Sequence, residues 1–223
     1  MLDDYLAFEQ PILELEDKLL ALKNSASKSD LSFDPEIQLL QKKISNSYRD
    51  LFSKLTTWQV VSLARHPLRP HAVDIIDRVF DSFIPLSGDR TSPDCEAIVA
   101  GLASLDGRAV MVIAQEKGRD IKDKVKRNFG MPRPQGFRKA KRLFSMAEKF
   151  SLPVITLLDS PGAYAGVDAE LHNQSEAIAE NILSMCQLKT PIVSIVIGEA
   201  MSGGAMAIGV CDHCAMLSYS IYS

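Results

Sequence analysis

The sequence is short of cysteine, of net charge and of the common phosphate-binding motifs, and each shortage removes a class of function. Four cysteines among 223 residues, at 95, 186, 211 and 214, are too few for the disulfide framework of a small secreted domain. Cys211-Asp212-His213-Cys214 has CxxC spacing, but a structural zinc site needs four ligands and no second knuckle exists. His213, between the two, is badly placed to complete a tetrahedron, so the pair reads as reduced thiols flanking a strand and no metal is expected. A formal charge of −3 indicates neither a nucleic-acid coat nor an acidic tail. Neither GxGxxG nor GxxxxGK[ST] occurs, which argues against a dinucleotide fold and a P-loop. The one long apolar stretch, Pro191 to Val210, is broken by Glu199 and by glycines, as suits a strand, a tight loop and a buried helix better than a membrane span. The acidic N-terminus, Met1-Leu-Asp-Asp-Tyr5, lacks a signal-peptide core and an Arg-rich transit pattern. The expectation is a soluble, cytoplasmic chain.

What remains is an ordinary globular composition, 46% hydrophobic and 24% charged, long enough to bury about 70% of its unfolded surface. Ile12, Leu15, Leu19 and Leu22 make a helical stripe within residues 4–23. A polar break follows at 24–30. A second stripe runs through Ile37, Leu40, Ile44, Tyr48, Leu51 and Leu55 and is entered by Asp34-Pro35, an N-cap followed by proline at the first helical position. Two such helices form a hairpin whose apolar faces need cover, from this chain's own core or from another chain. The proline-interrupted segment 60–95 carries a helix at Ala72 to Phe80. Beyond it, Ala97–Leu105 and Ala109–Ala114 flank the turn Asp106-Gly107 as a β-hairpin. A helix face at Phe137–Ala147, a buried strand at Pro153–Leu158, a helix over Ala169–Leu188, a strand at Pro191–Ile197, a helix at Gly203–Gly209 and a strand at Ala215–Tyr219 complete an α/β pattern. Alternation of this kind means a parallel or mixed sheet with helices outside.

Two glycine-rich loops follow buried strands, where α/β folds place ligands: Asp159-Ser-Pro-Gly-Ala-Tyr-Ala-Gly166 and Gly198-Glu-Ala-Met-Ser-Gly-Gly-Ala205. Small residues let backbone approach a ligand, and amides opening a helix can hold developing negative charge. The alternative is that the glycines serve only tight turns. A serine nucleophile at Ser202, with His172 and Asp159, is conceivable on paper, but Ala200 stands where a nucleophile elbow needs glycine. The charge is unevenly spread. Between Lys117 and Arg142 eleven basic residues face only Asp120 and Asp123, a net +9 that leaves −12 on the rest of the chain. Such a segment suits a nucleotide-bearing ligand, nucleic acid or an acidic partner, or is a solvated helix face. With only Phe129 and Phe137 interleaved, nucleic-acid binding by stacking is weakly supported.

Several stretches in this order resemble one family: Phe8-Glu-Gln-Pro11, Trp58-Gln59, Leu63-Ala-Arg-His-Pro67, Gly88-Asp-Arg90, Lys117-Gly-Arg119 and Arg127-Asn-Phe-Gly-Met-Pro132. Asp159-Ser-Pro-Gly-Ala-Tyr164, Gln174-Ser-Glu-Ala-Ile-Ala179 and Ser202-Gly-Gly-Ala205 complete the set. It is similar to the carboxyltransferase alpha subunits of multi-subunit, bacterial-type acetyl-CoA carboxylases, from end to end. The resemblance implies a crotonase-type fold of repeated ββα units, residues 61–223, behind an N-terminal helical extension, residues 1–60. It implies transfer of a carboxyl group from carboxybiotin, borne on a carrier protein, to acetyl-CoA, giving malonyl-CoA for fatty-acid synthesis. The implied partners are a zinc-ribbon-bearing beta subunit in an alpha2-beta2 heterotetramer, the biotin carboxyl carrier protein and biotin carboxylase. Carried over by motif, Gly203 and Gly204 become the oxyanion-stabilising pair. Pro161, Gly162, Ala163 and Tyr164 become the biotin-side wall, and Lys117, Arg119, Lys126 and Arg127 contacts for CoA or phosphate. Ala165 stands where the family often has proline, and Ala200 and Met201 where it often has glycine. Family chains continue past the position of Ser223, so the 61–223 domain is expected to be incomplete at its C-terminus.

Overall fold

Capping residues and prolines cut the first part of the chain into three helices. The computed structural model describes residues 6–26 and 34–223, which fall into two compact units, Met1–Leu68 and Arg69–Ser223. In the first unit α1 (Gln10–Ala26) starts with Pro11 in its opening turn, where no amide donor is needed. It pairs with α2 (Asp34–Phe52), and the Tyr48 hydroxyl donates to Glu16 Oε1 at 2.9 Å across the hairpin. Ile37, Leu40, Ile44, Tyr48 and Leu51 are the less exposed positions of α2, the stripe that the periodicity picks out. Of the expected polar break, residues 24–26 continue α1, and 27–30 lie outside the described residues. Helix α3 (Thr57–Ala64) has a full capping box. Gln59 N–H donates to Thr56 Oγ1 and Thr56 N–H to Gln59 Oε1, satisfying two donors that the helix end would leave bare.

In the second unit α4 (Ala72–Val79) precedes β1 (Ser82–Pro85), β2 (Ile98–Leu105) and β3 (Arg108–Gln115). These three strands are antiparallel neighbours. The β2–β3 turn puts Asp106 at φ 49° and Gly107 at φ 74°, the left-handed pair of a two-residue hairpin. Then α5 (Ile121–Lys126) and α6 (Pro134–Lys149) lead to β4 (Val154–Ser160), α7 (Val167–Leu171) and α8 (Gln174–Gln187) lead to β5 (Ile192–Ala200), and α9 (Ser202–Gly209) leads to β6 (His213–Met216). Strands β3, β4, β5 and β6 are parallel in that order, and β7 (Ile221–Tyr222) pairs with the end of β5.

The strand period of two sorts the core onto two faces. Met111, Ile113, Val154, Leu158 and Val196 meet Phe137, Leu143 and Phe144 of α6 and the inner sides of α8 and α9. Val110, Val112, Ala114, Leu157 and Ile197 turn the other way, toward Ala72, Ile76 and Phe80. Each large side chain so buried contributes roughly 1.5–3 kcal/mol. This packing fixes the C-terminal ends of β3, β4 and β5 side by side.

Three sequence expectations need correction. The single helix expected over 169–188 is two, α7 and α8, separated at Asn173, which adopts φ 60°. Asparagine tolerates that left-handed geometry better than most residues. Gly198, Glu199 and Ala200 belong to β5, so the second glycine loop shrinks to Met201. The strand expected at 215–219 is β6 at 213–216, with Tyr219 in a turn at φ 60° before β7. Among the described residues no helix is long and apolar enough to cross a membrane.

Candidate active site at the ends of the parallel strands

Strand β5 stops at Met201, the N-cap of α9, and Ser202 turns the chain at φ 55°. The first amides of a helix have no acceptor within it. Here Ser202 N–H donates to Ser223 O at 2.8 Å, Met201 N–H to Ser160 O at 3.1 Å and Ala205 N–H to Met201 O at 3.1 Å. The N–H groups of Gly203 and Gly204 between them have no acceptor in the described chain. Both lie in the first turn, at the positive end of the helix dipole. Gly204 is held against the neighbouring loop: a Cβ there would lie 2.5 Å from Gly162 C and 2.7 Å from Ala163 N.

That neighbouring loop leaves β4 at Ser160. The Ser160 hydroxyl donates to Gly130 O at 2.7 Å and accepts Gly162 N–H at 3.1 Å, and Gly162 takes φ 144°, a geometry open to glycine. Tyr164 N–H donates to Pro132 O, and the Tyr164 ring lies 4.8 Å from the Arg133 guanidinium carbon. Gln174, buried at the start of α8, donates from Nε2 to Pro132 O at 2.9 Å and to Tyr164 O at 3.0 Å. Its amide clips the loop in place. Ala163, Tyr164, Ala165, Gly166, Gln174 and Ile178 are among the residues lining an open, mostly apolar pocket of about 470 Å3. Ile178 also faces Gly203, its Cδ1 lying 3.3 Å from where a Cβ on that residue would be. Ile178 thus borders both the pocket and the first turn of α9.

Behind the amides lies a set of buried polar groups that sequence reading missed. Gln115, wholly buried at the end of β3, donates from Nε2 to Gly204 O at 2.7 Å and accepts Asp159 N–H at 3.1 Å. Lys117 Nζ is 2.7 Å from Asp159 Oδ1 and 2.7 Å from Glu199 Oε1. Burial pushes the Asp159 carboxyl above its usual range, against the opposing pull of Lys117 and of Glu199 N–H. Burial would raise Glu116 too, but hydrogen bonds from His71 and from the Gly118 and Val73 amides outweigh it and hold this carboxyl low. The available signal was the run Gln115-Glu116-Lys117, three polar residues where a buried strand ends.

The other expected residues fall differently. Pro161 to Tyr164 and Gly203–Gly204 come together. Ser202, His172 and Asp159 do not form a triad: His172 is exposed and pairs with Asp168, whereas Asp159 is engaged by Lys117. The basic segment is no continuous patch. Arg119 pairs with Asp74, Lys126 with Glu96 at 2.6 Å, and Arg127 with Asp123 at 2.8 Å. Arg133 binds Asp168, Arg138 binds Asp89, Lys139 binds Asp94, Lys141 binds Glu180, and Arg142 binds the Gly88 and Ser87 carbonyls. Apart from Asp123, the acids that compensate it come from elsewhere in the chain. Cys211 and Cys214 are free thiols, with Cys214 pushed up by burial and by Cys211. Among the described residues no group of three or more His, Cys, Asp or Glu could hold a metal ion.

The family model described as acetyl co-enzyme A carboxylase carboxyltransferase-like matches residues 5–223. The acetyl-coenzyme A carboxylase carboxyl transferase subunit alpha of Pasteurella multocida (strain Pm70) is 55% identical over 224 residues, covering 100% of this chain and 71% of the relative. The subunit of the same name from Stenotrophomonas maltophilia (strain K279a) is 52% identical over 220 residues, covering 99% and 69%. Among solved structures, transcarboxylase 12S with hydrolyzed methylmalonyl-coenzyme A aligns at TM-score 0.59 and 17% identity, over 70% of this chain and 29% of that one. The beta subunit of P. aeruginosa geranyl-CoA carboxylase aligns at TM-score 0.56 and 18% identity, over 69% and 31%. The chain thus spans less than a third of those two structures, and the likeness concerns the fold.

Proposed function

Because the chain belongs to the acetyl-CoA carboxylase carboxyltransferase alpha-subunit family and has the crotonase-type fold, we propose that its site moves a carboxyl group from carboxybiotin on a carrier protein to acetyl-CoA. The product is malonyl-CoA, for fatty-acid synthesis. The observation that carries this is the pair of acceptor-less amides, Gly203 and Gly204, in the first turn of α9, packed against the 161–164 loop, whose Ala163 and Tyr164 line an apolar pocket of about 470 Å3. A ureido head fits such a place: its ring system takes the apolar walls and its oxygen the two N–H groups.

As the carboxyl group leaves, charge builds on the ureido oxygen, and the amides of Gly203 and Gly204 donate to it. Donors preorganised in this way lower the barrier because no solvent has to reorient. The helix dipole of α9 adds to the same effect. Biotin, once decarboxylated, supplies the base that takes a proton from the acetyl methyl group, so this chain needs no general base of its own. Pro161, Gly162, Ala163 and Tyr164 line the biotin side. Their loop is clipped by Gln174 and backed by Ser160, which keeps the wall rigid and limits water. Ala165 lines the pocket and Met201 narrows its entrance, whereas Ala200 is buried in β5.

The CoA thioester is placed on a zinc-ribbon-bearing beta subunit, with two copies of each chain in the assembly. The carrier protein and biotin carboxylase complete the reaction sequence. For CoA phosphates or the partner surface, Arg119, Lys126 and Arg127 are the candidates on this chain. The Lys126–Glu96 pair is the most exposed of the three and contributes little, whereas Arg127 is 17% exposed and also donates to Glu96 O. Lys117 is buried between two carboxylates and is assigned a different task below.

The test is carboxyl transfer from malonyl-CoA to biocytin by this chain, by the beta subunit and by the two co-purified. Activity confined to the co-purified pair supports the reading. Biocytin carboxylation by the beta subunit alone, or none by an assembled pair, contradicts it.

A further inference from the structure

Lys117 sits in a place where a cation is costly and is paired there with two carboxylates. Its side chain is 17% exposed, and the carboxylates it meets, on Asp159 and Glu199, are 6% and 7% exposed. These carboxylates belong to the next-to-last residues of β4 and β5, two residues before the biotin wall at Pro161 and three before α9 at Ser202. Asp159 also crosses to the other strand: its Oδ1 accepts Glu199 N–H at 3.0 Å and lies over Gly198, where a Cβ would come within 2.3 Å of it. Without Lys117 these two acids would be neighbouring buried charges of one sign.

The cover over Lys117 points the same way. Asn128, Phe129 and Gly130 adopt φ 48°, 54° and 76° in succession, and a Cβ on Gly130 would lie 2.5 Å from Lys117 Cγ. Left-handed geometry costs a non-glycine residue about 1–2 kcal/mol, so this turn is strained where it closes over the lysine stem. Gly130 O in turn accepts the Ser160 hydroxyl that anchors the biotin wall.

We propose that Lys117 is a positioning residue for carboxyl transfer: by neutralising Asp159 and Glu199 it holds the ends of β4 and β5 at the spacing that presents the Gly203 and Gly204 amides. The proposal rests on the carboxyl-transfer reading above. Three charged groups with one cation leave the trio at −1. Lys117→Met takes it to −2, and Lys117→Met with Glu199→Gln returns it to −1. Arg69 and His71, ahead of α4, also act on Asp159, and Glu116 pairs with His71. In β7, Ile221 pairs with Glu199 and Tyr222 with Ala200.

With the cation gone, two close buried carboxyls share one proton, and the second ionises only at raised pH. Lys117→Met in complex with the beta subunit therefore loses about 100-fold in kcat at pH 8, the cost of a misplacement near 1 Å. Its KM values stay near wild type and its activity rises as the pH is lowered to 6. The double variant recovers most of the kcat and has the wild-type pH profile. A purely structural role would impair both variants alike, with no change of profile. Thermal melting of the same preparations reads the charge balance without catalysis: the single variant melts progressively lower from pH 6 to 8, and the double variant does not. Wild-type kcat and pH profile in Lys117→Met, or a double variant no better than the single, overturns the proposal. Absence of carboxyl transfer in the wild-type complex overturns the functional reading instead, and melting still decides whether Lys117 balances the acids.

Discussion

Replacing Gly204 by alanine puts a methyl carbon 2.5 Å from Gly162 C, 2.7 Å from Ala163 N and 2.8 Å from Gly162 O. All three atoms are backbone, so none swings aside, and α9 and the 161–164 loop must separate by several tenths of an ångström or more. Overpacking of this kind costs about 1–3 kcal/mol of stability. The loss in catalysis is larger, because the moved amide is one of two donors and removing one such donor costs about 100- to 1,000-fold in kcat. Gly203→Ala is the internal control: its methyl meets Ile178 Cδ1 at 3.3 Å, the far end of a side chain that can shift, and the amide stays in place. The expected outcome is a kcat lowered about 100-fold or more in Gly204→Ala, with Gly203→Ala much nearer wild type. Carboxyl transfer from malonyl-CoA to biocytin by each variant in complex with the beta subunit gives the rates, and thermal melting separates stability from chemistry. Equal losses in the two variants, or a wild-type rate in Gly204→Ala, would refute the reasoning.

Two further outcomes concern stability. Burial would raise the Asp89 carboxyl, but the Arg138 guanidinium and the Thr91 and Ser92 amides outweigh it and hold it at about 2, against 3.8 when free. A lowered carboxyl pKa adds stability that is present above pH 4 and lost as pH falls toward 2. Asp89→Asn should flatten that part of the acid-unfolding curve by on the order of 2 kcal/mol, less where solvent screens the half-exposed Arg138; an unchanged acid limb would contradict the assignment. Lys139, 2% exposed, donates to Asp94 Oδ1 at 2.6 Å, Cys95 O at 3.0 Å and Ile98 O at 2.6 Å. Lys139→Met strands these acceptors and should cost about 3 kcal/mol in urea unfolding, while a loss under 1 kcal/mol would show that water replaces the ammonium.

Strand and helix positions were largely legible because apolar runs have the right length and spacing: Val110 to Ala114 is a short unbroken apolar run, as suits a strand buried on both faces, and Ile37 to Leu51 shows the helical stripe. The turn at Asp106-Gly107 announced itself through residues suited to positive φ. The break at Asn173 did not, since Ala169, Ala177, Ile178 and Met185 keep a helical spacing across it and a single left-handed residue leaves no mark on periodicity. Gly203 and Gly204 were legible through motif, but their want of an acceptor is a property of the fold. The charge run overstates the local net charge for a physical reason. A count along the chain sums neighbours in sequence, whereas Asp74, Asp89, Asp94, Glu96, Asp168 and Glu180 arrive from other elements to pair with it. The Lys117 trio was hidden likewise, its members being 42 and 82 residues away in sequence and 2.7 Å away in space.

The central claim is tested most directly on the biotin itself. The biotinylated carrier protein is incubated with malonyl-CoA and this chain together with the beta subunit, and the biotinyl-lysine peptide is weighed by mass spectrometry under alkaline quench. The account predicts a gain of one carboxyl group on biotin only when both chains are present, and its loss when Gly204 is replaced by alanine. Carboxylation in the absence of this chain, or its absence from an assembled wild-type complex, would contradict the account.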